Sequence, residues 1–123
     1  MKILIVEDEE QIRSLLGRFL GGIGHQTSIA ENGREAWEVL IAPDHQIDVV
    51  LADIKMPEMD GRELIRRMKE KGIQTPVMFI SGQINVTHQD AVEAGAIGII
   101  HKPFELSSIM EVLQDLDLQP EGG

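Results

Sequence analysis

At 123 residues the chain has room for one domain with a proper core and is too short for two. Lys plus Arg number 11 against 21 Asp plus Glu, a net charge of −10 with no basic stripe, so nucleic-acid phosphates repel it and any DNA contact needs another domain or protein. The absence of cysteine removes disulfides, thiolate metal sites and thiol nucleophiles, and no apolar run nears the roughly 18 residues of a membrane span.

The first residues, Met1 to Val6, are too short an apolar run for a signal peptide and meet acids at once, so a cytoplasmic location is expected. Lys2 to Val6 reads as the first strand. Ile12, Leu15, Leu16, Phe19 and Leu20 then recur at i, i+3, i+4, i+7 and i+8, one apolar stripe on a helix that Gly21-Gly22 is expected to end. Gln26 to Ala30 is the second strand. Asn32-Gly33 opens a helix carrying Ala36, Trp37, Val39 and Leu40, which Pro43 stops. Ile47 to Ala52 is a third strand, and Asp60-Gly61 opens a helix with Leu64, Ile65 and Met68 that closes at Gly72.

Pro76 to Ile80 is the fourth strand, and the helix after it, about Val86 to Ala94, has few apolar residues, which suits an element that moves. Ala96 to Ile100 is the fifth strand. The last helix, about Glu105 to Asp117, carries Leu106, Ile109, Met110, Leu113 and Leu116 with Val112 at its margin; this stripe is either all core or in part a partner or homodimer surface. Residues 1–118 are thus one domain, and 119–123, Gln-Pro-Glu-Gly-Gly, a tail or the start of a linker. The first, third and fourth strands are nearly all apolar, as central strands of a parallel sheet covered on both faces are, so the pattern is an open doubly wound α/β sheet of five β/α units.

Such sheets bind ligands at the carboxyl ends of their strands. Glu7-Asp8-Glu9-Glu10 stands after the first strand, Asp53 after the third, Ser81-Gly82 after the fourth and Lys102-Pro103 after the fifth. Singly, each has a bland account. The acids suit a helix dipole, Ser81 a turn, and Lys102 a surface charge with its stem on apolar neighbours. The four histidines, His25, His45, His88 and His101, lack metal-ligand spacing and read as structural or surface residues. Jointly, Glu7, Asp8 and Asp53 at one edge stack negative charge that a hard divalent cation such as Mg²⁺ would relieve. A carboxylate beside Mg²⁺ and facing a lysine can attack phosphorus, with Ser81 donating to the new phosphoryl oxygens.

The segments Ile3-Leu4-Ile5-Val6-Glu7-Asp8-Glu9, Asp53-Ile54-Lys55-Met56-Pro57-Glu58-Met59-Asp60-Gly61, Phe79-Ile80-Ser81-Gly82, Gly95-Ala96 and His101-Lys102-Pro103-Phe104 resemble, in order and spacing over nearly the whole chain, the receiver domains of two-component response regulators. The resemblance implies a flavodoxin-like (βα)5 fold with strand order 2-1-3-4-5. It also implies phosphoryl transfer from a histidine kinase, a phosphotransfer protein or a small phosphodonor to Asp53. Mg²⁺ would be held by Glu7, Asp8, Asp53 and the carbonyl of Lys55. Lys102 and Ser81 would contact the phosphoryl group, and the Lys102–Pro103 bond could be cis.

On the same ground the surface near the fourth helix, fifth strand and fifth helix would switch a partner or effector domain, with a phosphorylation-dependent homodimer left open. Such a domain catalyses only its own phosphorylation and dephosphorylation. Two positions depart from the family's pattern. Ile99 stands where an aromatic ring is frequent, so in place of a ring flip the readout is expected to run through backbone movement of the loop after Ser81 and of the fourth helix, the alternative being a blunted readout. Glu7 stands for the frequent Asp. Lys55 and Gln83 flank the expected site and are expected to tune phosphoryl lifetime.

A flavin carrier of this strand order needs a Gly/Ser/Thr-rich phosphate loop after the first strand, where this chain has four acids. An aspartyl-phosphate phosphatase needs its acceptor after the first strand and room for a substrate. A receiver-like binding module without phosphorylation would not need Asp53, Asp8, Lys102 and Ser81 together.

Overall fold

A computed structural model describes residues 1–83 and 85–118, without the side chains of 117 and 118; the expected tail, 119–123, lies outside the described residues. Five strands and five helices alternate: β1 (Lys2–Val6), α1 (Glu10–Gly22), β2 (Gln26–Ala30), α2 (Gly33–Leu40), β3 (Val49–Asp53), α3 (Gly61–Lys71), β4 (Val77–Ser81), α4 (His88–Ala94), β5 (Gly98–His101) and α5 (Leu106–Leu118). The strands are all parallel in the order β2-β1-β3-β4-β5. This is the flavodoxin-like order that the resemblance implied.

Side chains alternate across the sheet, so β1, β3, β4 and β5 each feed two cores, while the edge strand β2 gives only Ala30 to one of them. Leu4, Val6, Val50, Ala52, Val77 and Phe79 pack with α2, α3 and Ala91 of α4, while Ile3, Ile5, Val49, Leu51, Met78 and Ile80 pack with Leu16 and Leu20 of α1 and Ile109 and Leu113 of α5. Every residue of β3 and β4 is buried, as their continuous apolarity predicts. Each buried Val, Leu, Ile, Met or Phe among them is worth roughly 1.5–3 kcal/mol, which makes the sheet a stiff support for whatever leaves its edge. The α5 stripe is mainly core: Ile109 and Leu113 are buried, and Leu106, Val112 and Leu116 pack against them.

Helix starts follow their caps. Asn32 Oδ1 accepts from Glu35 N at 2.8 Å, Asp60 Oδ1 from Glu63 N at 2.9 Å, and Thr87 and Asp90 form a reciprocal capping box. Gly72 ends α3 in the left-handed region at φ 79°. Gly61 is required for space: a Cβ there would lie 2.8 Å from Phe79 Cε1 and 2.9 Å from the Asp53 carbonyl oxygen. That close approach seats the start of α3 against the end of β3.

Gly21 and Gly22 end α1 as its last two helical residues, with Ile23 as cap, its N–H reaching the Phe19 carbonyl. Several expectations shift. Leu15 is 43% exposed, since the contact with the sheet is narrower than a five-residue stripe. Ile47 precedes β3, its N–H bonded to His45 Nδ1 instead of a ladder partner, and Ala96 is tied to the Ala91 carbonyl at the end of α4 before β5 begins. The fourth helix starts at His88, after Val86, and has one buried residue, Ala91.

Candidate functional site

Strand register assembles the cleft. Val6 pairs with Ala52, so the residues that follow them, Glu7 and Asp53, reach the sheet edge side by side. Ser81 pairs with His101, and the next amide, Lys102 N–H, donates to the Ser81 carbonyl at 2.7 Å. The strand-end residues Asp8, Asp53, Ser81 and Lys102 therefore meet: a cleft of about 500 Å³ is lined by Asp8, Asp53, Lys55, Ser81, Gln83 and Lys102, together with Glu9, Met56, Pro57 and Gly82, and Glu7 joins them through Lys102, whereas Glu10 and Pro103 are not part of the lining. Asp53 ends β3 with 7% exposure, Glu7 is 1% exposed, Ser81 is fully buried, and Asp8 and Lys55 are exposed at the mouth.

Lys102 organises the charges. Its Nζ lies 2.8 Å from Asp53 Oδ2, 3.1 Å from Glu7 Oε2 and 3.3 Å from Glu9 Oε1. It donates hydrogen bonds to Asp53, Glu9 and Glu7 Oε1, but Glu7 Oε2, although close, is buried with no hydrogen bond. Burial, and secondarily the Asp53 charge, push the Glu7 carboxyl up to about 7 against the opposing pull of Lys102. Burial also disfavours the Lys102 ammonium, yet hydrogen bonds to Asp53 and Glu7 outweigh it and hold its pKa above the ordinary lysine value. The acidic stack is thus partly offset by the chain's own lysine.

Glu7, Asp8 and Asp53 each offer a carboxylate oxygen within 4.8 Å of the others. An all-oxygen set of this kind, with one buried oxygen lacking a hydrogen bond, fits a hard divalent cation. Lys55 N–H donates to Asp53 Oδ1 at 3.2 Å and orients that carboxylate. Ser81 Oγ accepts from Gln83 N–H at 2.9 Å. The Lys102–Pro103 peptide is cis, as the resemblance allowed. Ile99 is half-buried against the core on the α4 side.

Two contributors were missed. Glu9, whose place in the chain suits only the helix dipole, reaches Lys102 from the β1–α1 junction. Arg13, one helical turn on, donates to the Glu7 carbonyl at 2.9 Å and lies 3.4 Å from Glu31 Oε1, bracing the end of β1. No local pattern marks either, because both contacts are long-range or to backbone.

A (βα)5 sheet with an acidic, lysine-bearing cleft at its strand ends defines a flavodoxin-like, doubly wound α/β domain. The chain belongs to the response regulator receiver domain family, whose model matches residues 3–114. It is 39% identical over 114 residues to the regulatory protein AtoC of Escherichia coli, covering 92% of this chain and 24% of that protein. It is 36% identical over 115 residues to sporulation initiation phosphotransferase F of Bacillus subtilis, covering 92% and 90%. The crystal structure of response regulator TrrA from Thermotoga maritima in complex with Mg²⁺-BeF superposes with a TM-score of 0.81 at 28% identity, covering 94% of this chain and 97% of that one. The chain spans about a quarter of AtoC and half of the response regulator MprA, so those relatives carry further segments. Among the described residues no helix is long and apolar enough to cross a membrane.

Proposed function

We propose that Asp53 is the phosphoacceptor, that Lys102 and Ser81 act on the phosphoryl group, and that Glu7, Asp8, Asp53 and the Lys55 carbonyl hold Mg²⁺. The observation that carries this reading is the Lys102 ammonium 2.8 Å from Asp53 Oδ2 in a cleft where three carboxylates converge. Bound Mg²⁺ would supply positive charge to the phosphoryl oxygens in flight.

Asp53 attacks phosphorus with a carboxylate oxygen, forming an acyl phosphate as the bond from phosphorus to the donor breaks and the donor atom, an imidazole nitrogen of a phosphohistidine or the acetate oxygen of acetyl phosphate, leaves with the electron pair. Lys102 then moves from carboxylate to phosphoryl oxygen, and the Ser81 hydroxyl donates to another. Hydrolysis of the acyl phosphate resets the site, so the domain works on itself and turns over no separate substrate. The donor is a histidine kinase, a phosphotransfer protein or a small phosphodonor. The added charge shifts the surface near α4, β5 and α5 for an effector domain, a protein partner or a second copy in the cytoplasm.

Intact-mass spectrometry after incubation with acetyl phosphate and Mg²⁺ tests the reading. One added phosphoryl group that disappears in Asp53→Asn and on Mg²⁺ removal is expected; no gain by folded, Mg²⁺-binding protein would overturn it.

A further inference from the structure

Ile99 and His101 lie on the same face of β5, toward α4, while Ile100 packs on the α1 and α5 side. The aliphatic Ile99 leaves His101 as the ring on this face, next to Lys102 in the chain. Its Nε2 lies 2.7 Å from the carbonyl oxygen of Val86, and since a carbonyl only accepts, Nε2 carries the proton. Val86 is 7% exposed and sits just before Thr87, the residue that caps α4.

The connection from β4 to α4 therefore has a tether near each end. At its start Gln83 N–H is held by Ser81 Oγ at 2.9 Å; at its finish the Val86 carbonyl is held by His101. Ser81 Oγ accepts from Gln83 N–H in the resting protein, and a turn of the hydroxyl to donate its O–H to a phosphoryl group on Asp53 carries that oxygen away from Gln83. When the hydroxyl turns, the first tether weakens and the second decides whether the connection follows.

We infer that His101 is the positioning residue that couples the cleft to α4: its ring holds the far end of the β4–α4 connection in the unphosphorylated protein and opposes its movement when Ser81 turns toward a phosphoryl group. The inference rests on the phosphoacceptor reading of Asp53. One neutral hydrogen bond biases two positions of the connection about fivefold. Without it the resting protein lies partly in the activated position before any phosphoryl group arrives.

The test uses amide NMR spectra of the chain with and without beryllium fluoride plus Mg²⁺. His101→Phe keeps a ring and removes the donor; His101→Gln keeps an N–H donor. In the untreated His101→Phe protein, amides of Asn85, Val86 and Thr87 should move along the line toward their positions in the treated wild type, by an amount matching the fivefold bias, and His101→Gln should move them back. In the wild type the His101 ring-nitrogen signals should change on treatment, a reading that needs no variant. Connection amides of His101→Phe that stay at wild-type positions or move off that line, or an unchanged His101 ring, would overturn the inference alone. No change at the Asp53 and Lys55 amides of treated wild type would overturn the phosphoacceptor reading, and this inference with it.

Discussion

Burial of Glu7 makes the metal-free protein less stable as pH rises, with the sign opposite to that of most carboxylates. Its pKa is about 7 in the folded chain against 4.5 for a solvated glutamate. Between those values the folded protein keeps a proton that the unfolded chain releases, so stability falls through this window. At about 1.4 kcal/mol per pH unit the loss reaches at most about 3.5 kcal/mol by pH 8. Lys102 adds no slope here, since its raised pKa keeps it charged in both states. Glu63, held down to about 2 by hydrogen bonds from Arg66 and Arg67, gives stability that is present above 4.5 and lost as pH falls toward 2, below this window.

Urea unfolding followed by Trp37 fluorescence, in EDTA from pH 5 to 8, measures the effect. Glu7→Gln keeps the shape and removes the titration, so it should be more stable than wild type at pH 8 and differ little at pH 5. Mg²⁺ should stabilise the wild type more at pH 8 than at pH 5.5, because the cation competes with the Glu7 proton. A wild type and a Glu7→Gln variant with parallel pH curves would refute the reasoning.

Lys102→Ala removes the ammonium facing Asp53 and should slow phosphorylation by acetyl phosphate about 100-fold while tightening Mg²⁺ binding, since a competing cation has gone; mass kinetics and metal titration should move in these opposite directions. Gly61→Ala places a methyl against Phe79 Cε1 and the Asp53 carbonyl and should cost about 1–3 kcal/mol in urea unfolding, with slower phosphorylation because Asp53 is displaced. Substituting Gln83, which lines the cleft and is held to Ser81, should change the acyl phosphate's lifetime more than its rate of formation; equal effects on both rates count against it. Thr87→Ala removes the capping box of α4 and should cost about 0.5–2 kcal/mol, read as faster hydrogen exchange across α4.

By itself the sequence determined what is local. Strand and helix identity follow from apolar spacing, helix starts from Asn32 and Asp60, and the placing of Glu7, Asp8, Asp53, Ser81 and Lys102 at or just after strand ends from their position in the chain. Each rests on contacts within a few residues. Strand order was not legible from that pattern and came through family resemblance. Only the tertiary structure decided which strand ends meet: Val6 opposite Ala52 brings Glu7 to Asp53, and Ser81 opposite His101 brings Lys102 to both. The charge of Glu7, the recruitment of Glu9, the brace from Arg13 and the reach of His101 to Val86 belong there too. Desolvation and hydrogen bonding depend on neighbours distant in sequence, and no periodicity along one strand or helix records them.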